Sequence, residues 1–226
     1  MTLPDSLTSI TVAVLGGTGP QGRGLARRFA AAGLPVVLGS RSADRAQETA
    51  TTLAEATGGT VTGQDNEAAA VAGDVVVVAV PWDGHAELLR SLAGVLEGKV
   101  VVDCVNPLGF DKQGAYPLAV DEGSAAQQAA ALLPGSTVVG AFHHVSAVVL
   151  EDPEVTSVDL DVLVLGEGED REATDLVQAL AESIPGVRGV YAGRLRNAHQ
   201  VEALTANLIA INRRHKVHAG VRVTDI

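Results

Sequence analysis

Apolar residues occur along the chain in short runs rich in β-branched side chains, separated by longer segments of mixed polarity. The runs SITVAVLG, PVVLGS and DVVVVAVP predict strands, and the consecutive β-branched residues of the last run predict burial on both faces. QGRGLARRFAAAG, between the first two runs, predicts a helix that ends at Gly33. A strand, a helix and a second strand in this order indicate a βαβ unit and therefore a parallel sheet.

The alternation of strands and helices continues to the C-terminus. Ser42 is a predicted N-cap for a helix over residues 42–57, GTVTG predicts a short third strand, and a predicted helix over residues 83–96 precedes the strand KVVVDCVNP. LGFDKQGAYP is predicted as a Gly-rich loop. The remaining predictions are a helix over residues 124–133, the strand STVVGAFHHV, an exposed loop at residues 151–153, the strand VDLDVLVLG, the helix DREATDLVQALAES, the short strand VRGVYAG and the helical run RNAHQVEALTANLIAINRRHK.

This order of elements predicts an α/β fold of the Rossmann type. We expect a doubly wound, mainly parallel sheet with a small C-terminal helical extension. The chain has 226 residues, of which 46% are hydrophobic but only 3% are aromatic, so Val, Leu, Ile and Ala must build the interior. Such an interior fits a parallel sheet that is covered by helices on both faces.

Charge and cysteine content narrow the partners and the compartment. The formal net charge of -11 argues against a general affinity for nucleic acid or for an anionic membrane surface. Cys104 is the only cysteine, so no intramolecular disulfide can form. MTLPDSLTSI lacks the features of a secretory signal, and VVVVAVPW is too short to span a bilayer. We therefore expect a cytoplasmic protein whose partners are small molecules.

A glycine-rich segment, GGTGPQG, joins the first strand to the first helix. Gly17, Gly19 and Gly22 match the pattern G-x-G-x-x-G: Gly17 is expected to allow the tight turn, Gly19 a close approach of the backbone to a pyrophosphate, and Gly22 close packing of helix on strand. The Thr18 hydroxyl can donate to a phosphate, and Pro20 suits a first helical turn. The context favours a dinucleotide site over a glycine-rich turn that binds no ligand.

The end of the second strand predicts which dinucleotide is bound. NAD enzymes carry an acidic residue at this place, where it accepts hydrogen bonds from the ribose 2′-hydroxyl. This chain has Ser40 and Arg41 there, with Arg45 one helical turn later. A guanidinium and a hydroxyl suit a 2′-phosphate, so the sequence predicts NADP(H) rather than NAD. The alternative is that both arginines are solvated surface charges.

Two further segments, VPWDGH and CVNPLG, follow the fourth and fifth strands, where open α/β sheets bind ligands. Trp82, the only tryptophan, covers a cofactor or packs beside a helix. His85 is expected to face a phosphate or water. Neither residue indicates which reaction the protein catalyses.

Several segments together resemble one family. VAVLGGTGPQGRGLARRFAAAGLPVVLGSR, the VPW turn, NPL, AFHHVSA and EALTANLIAIN resemble NADPH-dependent reductases of coenzyme F420, the 8-hydroxy-5-deazaflavin, over most of the chain. The resemblance implies a reversible hydride transfer between nicotinamide C4 and deazaflavin C5, with the two rings stacked in an apolar cleft. It implies no catalytic acid, base or nucleophile from the protein and no metal.

The resemblance also implies roles for individual residues. They are a pyrophosphate loop at Thr18, Gly19, Pro20 and Gln21; a 2′-phosphate clamp at Ser40, Arg41 and Arg45; contacts to the ribose and nicotinamide at Val80, Trp82, Leu108 and Ala147; and contacts to the deazaflavin at His143, Val145 and Thr205. Leu208 is expected to add a dry wall, and His143 a hydrogen bond to a ring oxygen. In this scheme residues 1–150 bind NADP(H) and residues 151–226 complete the deazaflavin cleft.

The chain departs from the family pattern at two places. It has His144, Val145 and Ser146 where a compared member has Thr, Ile and Pro, which keeps the cleft wall apolar at Val145. It has Ala203 where that member has serine, so the hydrogen bond of that hydroxyl is in doubt.

Alternatives stay open for the activity and for the C-terminal helix. Two alternative hypotheses for the activity are an NADPH-dependent reductase of a small imine or ketone and a non-catalytic sensor of NADP(H). Adjacent His143 and His144 suggest a metal pair only weakly, because no acidic or cysteine residue lies beside them. The predicted C-terminal helix carries an apolar stripe, which is compatible with a homodimer or with packing inside the chain. It also carries a basic cluster, which either binds the acidic coenzyme tail or complements the C-terminal end of the helix. The stripe is Val201, Leu204, Leu208 and Ile211, and the cluster is Arg194, Arg196, Arg213, Arg214 and Lys216.

Overall fold

An eight-stranded sheet with helices on both faces organises the fold, which a computed structural model describes for residues 3–167 and 171–226. The strands are β1 (Val12–Leu15), β2 (Val36–Ser40), β3 (Val61–Asp65), β4 (Val75–Val78), β5 (Val100–Asp103), β6 (Leu108–Asp111), β7 (Gly114–Pro117), β8 (Thr137–Gly140), β9 (Leu160–Leu165) and β10 (Val187–Gly193). The helices are α1 (Pro20–Ala31), α2 (Ala43–Thr57), α3 (Asn66–Ala72), α4 (Trp82–Leu96), α5 (Ala125–Leu132), α6 (Ala147–Glu151), α7 (Arg171–Glu182) and α8 (Ala198–His215).

The strand order is β10-β9-β8-β5-β4-β1-β2-β3, and β6 pairs with β7 in a separate hairpin. The chain builds outward from β1 to β3 on one side and from β4 through β5 to β8 on the other. All pairs from β3 to β8 are parallel, β9 is antiparallel to β8, and β10 is parallel to β9. This confirms the predicted Rossmann-type α/β fold with a C-terminal helix, and it opens a crevice at the carboxyl ends of β1 and β4.

The core lies on both faces of the sheet, as the β-branched runs predict. All four residues of β1 and all four of β4 are buried. Phe29 of α1 packs edge to face on Phe142, with 5.9 Å between the ring centroids, on one side, and α4 buries Leu89, Leu92 and Leu96 on the other. Strands covered on both faces cannot leave backbone groups unpaired, so only the loops at their ends are free to bind ligands.

The caps of two helices follow the sequence signals. Ser42 caps α2, because its hydroxyl accepts a hydrogen bond from the Arg45 backbone N–H at 3.4 Å. Gly33 adopts a positive φ of 96° just after α1 ends. The helix predicted as DREATDLVQALAES is α7, although its expected first residue, Asp170, lies outside the described residues.

Three local predictions differ from the structure, and two helices were not predicted. The strand through STVVGAFHHV ends at Gly140, because Phe142 turns the chain with a φ of 63° and buries its ring. The expected loop LGFDKQGAYP is the hairpin of β6 and β7. Helix α3, capped by the Asp65 carboxylate at 2.8 Å from the Ala68 N–H, was not predicted. Helix α6 was not predicted either, and Glu151, expected in an exposed loop, is its half-buried last residue.

The short helix α6 is held against α1, the helix that follows the glycine loop. Arg28 of α1 is buried and donates to the backbone carbonyls of Val149, Leu150, Asp152 and Val155 over 2.5–3.1 Å. Arg28 thereby satisfies carbonyl groups at the end of α6 that have no partner within that helix. An added ion pair joins Arg23 to Glu151 at 2.6 Å. The contact places residues 143–147 beside the start of α1.

The C-terminal segment is attached to the far edge of the sheet by a buried carboxylate. Asp161 of β9 accepts two hydrogen bonds at 2.7 Å from Arg188 of β10, one at 2.6 Å from Arg222, and one at 2.6 Å from the Val223 N–H. Hydrogen bonds from Arg188, and also from Arg222, lower the pKa of Asp161 despite its burial. The segment after α8 is therefore ordered against the sheet.

Across residues 3–167 and 171–226, no helix has the length and apolar character needed to cross a membrane.

The contact of α1 with α6 requires a glycine. A Cβ at Gly24 would lie 2.7 Å from Cβ of Leu150, so Gly24→Ala must push the two helices apart. We expect the variant to lose about 1–3 kcal/mol of unfolding free energy, as overpacked cores do. Urea unfolding followed by circular dichroism measures this.

Gly94→Ala is the matched control, because Gly94 is exposed in α4 and a Cβ there meets nothing within 4 Å. It should gain about 0.5–1 kcal/mol from helix propensity. Equal effects of the two alanines would contradict a glycine-dependent contact between α1 and α6.

Candidate functional site

The large cleft, of about 580 Å³, lies at the carboxyl ends of β1, β2 and β4. It is built from the loop after β1, the first turn of α2 and the segment that leads into α4. Its lining includes Gly16, Thr18, Gly19, Ser40, Arg41, Ser42, Arg45, Asn66, Val80 and Pro81. This is the crevice at which the strand order reverses, where open α/β sheets bind their ligands.

The glycine loop has the close contacts that its sequence predicts, with one correction. The left-handed turn residue is Gly16, with a φ of 75°, and not Gly17 as expected. Gly17 is required for packing instead, since a Cβ there would lie 2.8 Å from Cδ2 of Leu38 and 2.9 Å from the Val14 carbonyl oxygen. A Cβ at Gly22 would lie 2.6 Å from the Gly16 carbonyl oxygen, so α1 packs directly against the turn.

The start of α1 faces the large cleft without a side chain in its way. Gly19 is the N-cap and Pro20 the first helical residue, and no side chain of the described residues caps this end. The first-turn N–H groups therefore stay available to an anion, and the helix dipole favours negative charge there.

The predicted phosphate clamp lies together at one end of the large cleft. Ser40 is buried, and its hydroxyl accepts from the Ser42 N–H at 3.3 Å, which orients it beside the turn. Arg41 and Arg45 are exposed and line the same cleft, and neither has an ion pair within the described part of the chain. The cleft therefore contains two guanidinium groups without an ion pair, and its lining also includes Asp83 and Glu87.

The segment after β4 gives the opposite wall, and one prediction about it is wrong. Val80 lines the large cleft, and Trp82 begins α4 directly after Pro81. His85 was expected to face a phosphate or water, but it is fully buried and bonded to Asp103 and Gln128. Its ring stacks on Trp82, with 5.4 Å between centroids. Leu108 is half-buried at the start of β6.

A smaller cleft of about 240 Å³ opens on the other side of α1. The turn after β8 and the inner face of α8 form its walls. It is lined by Gln21, Asn106, His143, His144, Val145, Ser146, Ala147, Thr205, Leu208, Ile209, Asn212 and Ala219. Val145 and Leu208 are buried and give it an apolar wall, so every residue predicted to contact the deazaflavin lines this one space.

Hydrogen bonds fix the turn after β8 from three directions. The carbonyl oxygen of His143 accepts from Nδ2 of Asn106 at 2.7 Å and from the Thr205 hydroxyl at 3.1 Å. Gln21 donates from Nε2 to the Phe142 carbonyl at 3.2 Å. Gln21, predicted for the pyrophosphate loop, thus lines the small cleft and couples the start of α1 to the turn.

Both histidines of the turn are buried and neutral. Burial lowers the pKa of His143 to about 4 and the pKa of His144 to about 4. The His143 side chain is fully enclosed, with Nε2 lying 3.9 Å from Oε1 of Glu202, so both its ring and its carbonyl oxygen lie beside α8. Nε2 of His144 accepts from the Leu163 N–H at 3.4 Å.

Buried polar atoms without a partner are concentrated at the small cleft. Among the described residues these atoms are Oδ1 of Asn66, Oδ1 of Asn106, Nδ1 and Nε2 of His143, and Nδ1 of His144. All but the first belong to residues that line the small cleft. Because such atoms cost free energy when they stay unpaired, they mark a place suited to a ligand with polar ring atoms.

Sequence reasoning missed Glu202, which is buried near the start of α8. Its carboxylate accepts from the backbone N–H groups of Ala125 and Ala126 at 2.9 and 3.1 Å, and so binds α8 to the start of α5. Burial raises its pKa to about 7, against the opposing effect of these two hydrogen bonds. The signal was present, because Glu202 occupies the helical stripe of Ala198, Val201 and Leu208, where an apolar residue is expected.

The apolar stripe of α8 is partly buried, and the basic cluster is exposed to solvent. Val201 and Leu208 are buried, whereas Ile211 is 42% exposed. Arg213, Arg214 and Lys216 are exposed at the end of the helix, while Arg194 lies 3.7 Å from Glu167. In residues 3–167 and 171–226, no three His, Cys, Asp or Glu side chains form a group that could hold a metal ion.

A family model and relatives that match along nearly their whole length show one family. The family described as NADP oxidoreductase, coenzyme F420-dependent, matches residues 11–107. The F420-dependent NADP reductase of Methanothermobacter thermautotrophicus is 40% identical over 224 residues, covering 95% of this chain and 95% of that protein. The protein of the same name from Methanocaldococcus jannaschii is 36% identical and covers 95% of this chain and 98% of its own length.

A solved structure supports the fold. It is the crystal structure of a candidate F420-dependent NADP reductase from Arthrobacter sp. FB24, with a TM-score of 0.79 and 24% identity. The match covers 96% of this chain and 100% of that one. At this level of identity the agreement concerns the architecture alone.

The neutral state of His144 predicts how stability depends on pH. An unfolded histidine titrates near pH 6.5, whereas His144 in the folded protein stays neutral down to its pKa of about 4. The unfolded state therefore binds more protons in this window, and acid lowers stability. Between about pH 7 and pH 4, the wild type should lose about 3 kcal/mol more unfolding free energy than His144→Gln.

Urea unfolding across this pH range measures the difference. His199→Gln, at an exposed histidine of α8, should keep the wild-type pH dependence. Parallel curves for the wild type and His144→Gln would show that His144 does not stay neutral in the folded protein.

Proposed function

This chain belongs to the family of coenzyme F420-dependent NADP oxidoreductases, and we propose that it transfers hydride reversibly between NADP(H) and the deazaflavin coenzyme F420. The observation that carries the proposal is the pair of clefts on either side of the start of α1. One has the features of a dinucleotide site, and the other has an apolar wall with unpaired polar atoms. The bound nicotinamide and deazaflavin supply the hydride donor and acceptor.

The large cleft fits NADP(H). The loop of Gly16 to Gly19 leaves room for a pyrophosphate, whose charge the start of α1 and the Thr18 hydroxyl stabilise. Ser40, Arg41 and Arg45 bind the 2′-phosphate, and the absence of an acid at the end of β2 removes the group that would repel it. We propose that the ribose and nicotinamide contact Val80, which lines the large cleft, Ala147, which lines the small cleft, and the nearby Trp82 and Leu108.

The small cleft fits the deazaflavin ring. Val145 and Leu208 exclude water from one wall, and the unpaired Oδ1 of Asn106 lies among the polar atoms available to a ring with donor and acceptor groups. Thr205 holds the turn of His143 through the carbonyl oxygen, so its effect on the coenzyme is through that turn. The His143 ring, enclosed beside Glu202, reaches the coenzyme only if its side chain turns toward the cleft.

For direct hydride transfer, the protein mainly has to orient the two rings and exclude water from the site. The hydrogen bond from Gln21 to Phe142 and the contact of α6 with α1 hold the walls of the two clefts in a fixed relation. Residues 1–150 bind NADP(H), and residues 151–226 complete the deazaflavin cleft through α8. No side chain of the chain needs to act as acid, base or nucleophile in this scheme.

The proposal extends to assembly and location. Ile211 and Val217, exposed at the end of α8, support a homodimer formed through that helix. The net charge of -11 and the single buried cysteine support a cytoplasmic protein that binds neither nucleic acid nor membrane.

Mixing the pure protein with NADPH and coenzyme F420 tests the activity. We expect the visible absorbance of the oxidised deazaflavin to fall as NADPH is consumed. If calorimetry shows that both molecules bind and the absorbance stays constant, the hydride transfer is refuted. Binding of NADP(H) alone, without affinity for the deazaflavin, would identify a sensor instead.

Arg41→Ala tests the selectivity for NADP(H). Loss of a charge-assisted contact to the 2′-phosphate should cost about 1.5–3 kcal/mol, which corresponds to roughly 10- to 150-fold weaker NADPH binding, and it should leave NADH binding nearly unchanged. Isothermal calorimetry with both nucleotides measures the two effects. Arg90→Ala, at an exposed arginine of α4, is the control and should change neither. Equal losses for NADPH and NADH would remove the 2′-phosphate role of Arg41.

A further inference from the structure

Trp82, the only tryptophan of the chain, lies between residues that line the large cleft. Val80 and Pro81 before it and Asp83 and Gly84 after it belong to the cleft wall, while the Trp82 side chain is half-buried and packs against the hydrophobic core. Its indole stacks on the imidazole of His85, with 5.4 Å between the ring centroids and 30° between the planes. The position of this wall therefore depends on what holds His85.

Hydrogen-bond geometry defines the protonation of His85 without reference to any titration. Nε2 lies 2.6 Å from Oδ2 of Asp103, and Nδ1 lies 3.0 Å from Oε1 of Gln128. An ionised carboxylate and an amide oxygen both only accept, so both ring nitrogens carry hydrogen when Asp103 is ionised. The Gln128 amide is not reversed, because its Nε2 donates to the Glu122 carboxylate at 3.1 Å.

A neutral imidazole would face one of these oxygens with a lone pair. Its other bond would remain, but a repulsive pair of acceptors would be buried with no water to relieve it, since the His85 side chain is fully enclosed. The doubly protonated ring avoids this cost and places a cation under the indole face, where it is attracted by the ring quadrupole.

The charged groups around His85 favour the cation. Asp103 faces it from the end of β5 and is itself held by the Val105 N–H at 3.1 Å. Glu122 lies behind Gln128 of α5, and Glu202 of α8 adds negative charge only at a pH above its raised pKa of about 7. Burial by itself lowers the pKa of His85, but the hydrogen bond and charge of Asp103 outweigh it and raise the pKa overall.

We propose that His85 is a buried imidazolium that positions Trp82, and with it the start of α4, against the cofactor cleft. His85 is a positioning residue: it joins the first turn of α4 to β5 through Asp103 and to α5 through Gln128. The kinetic part of this inference rests on the proposed hydride transfer. The structural part does not, and it is tested on the protein alone.

The protonation state is measured first, on the unliganded wild-type protein. Long-range ¹H–¹⁵N correlation spectra separate a doubly protonated imidazole from either neutral tautomer. We expect His85 to show two protonated nitrogens throughout about pH 5–8, the range in which an ordinary histidine loses its charge. A neutral tautomer of His85 in the upper half of this range overturns the proposal.

Fluorescence of Trp82 reports the same contact independently. A protonated imidazole in contact with an indole quenches its excited state more strongly than a neutral one does. The wild-type emission should therefore be low and constant over about pH 5–8, without a step near 6.5. A step at that pH, or an emission unchanged by His85→Gln, would count against the stacked cation.

Asp103→Asn is the sharpest variant, because it is isosteric and does not alter the stacked pair itself. Its Oδ1 can keep the Val105 N–H, which turns the new amide NH₂ toward Nε2 of His85. Nε2 must then accept, so His85 becomes the neutral tautomer that still donates to Gln128. We expect the emission to rise to the level of His85→Gln. His199→Gln, at an exposed histidine, should leave the wild-type emission intact.

The kinetic consequence separates positioning from mere stability. In Asp103→Asn, the displaced cleft wall should lower kcat by on the order of 10- to 100-fold. The KM for NADPH should stay nearly constant, because the phosphate contacts are untouched. A raised KM with unchanged kcat would overturn the positioning role. If the wild type shows no hydride transfer at all, the proposed function fails, while the spectroscopic outcomes still decide the state of His85.

Discussion

The constraint on which the structure depends is the complete burial of β1 and β4 between two layers of helices. Their backbone groups must pair within the sheet, and each of the two strands has a parallel neighbour on both sides. Only the loops at the ends of these strands are therefore free to contact a ligand. Because the strand order reverses between them, the loops after β1 and β4 diverge and open the large cleft. The glycines of GGTGPQG then determine how closely a ligand can approach.

A second set of contacts builds the small cleft from parts that are distant in sequence. Arg28 and Gly24 bring α6 onto α1, and Gln21 attaches the turn after β8 to the same helix. From the other side, Glu202 binds α8 to α5, and Thr205 holds the carbonyl oxygen of His143. The loop before α1 lines the large cleft and Gln21 of α1 lines the small one, so the start of this helix lies beside both clefts.

Two buried carboxylates hold parts of the fold in place through charged partners. Asp161 is neutralised by Arg188 and Arg222 and orders the C-terminal segment, whose Ala219 lines the small cleft. His85 and Asp103 form a buried pair beneath Trp82. Such pairs add little net stability after desolvation, but removing one partner is costly, so they fix geometry. The interior polar groups thus act on the position of the cleft walls.

The sequence alone determined the fold class, the glycine loop and the set Ser40, Arg41 and Arg45, because each depends on local periodicity or on residues close together in the chain. It also brought His143, Val145 and Thr205 together through a family resemblance, and added Leu208 as an apolar wall by physical reasoning. Only the tertiary structure decided that Gly16 makes the turn, that Gln21 belongs to the small cleft, and that His85 is buried. These outcomes depend on contacts between residues far apart in sequence, such as His85 with Asp103 and Glu202 with Ala125, and periodicity carries no information about such partners.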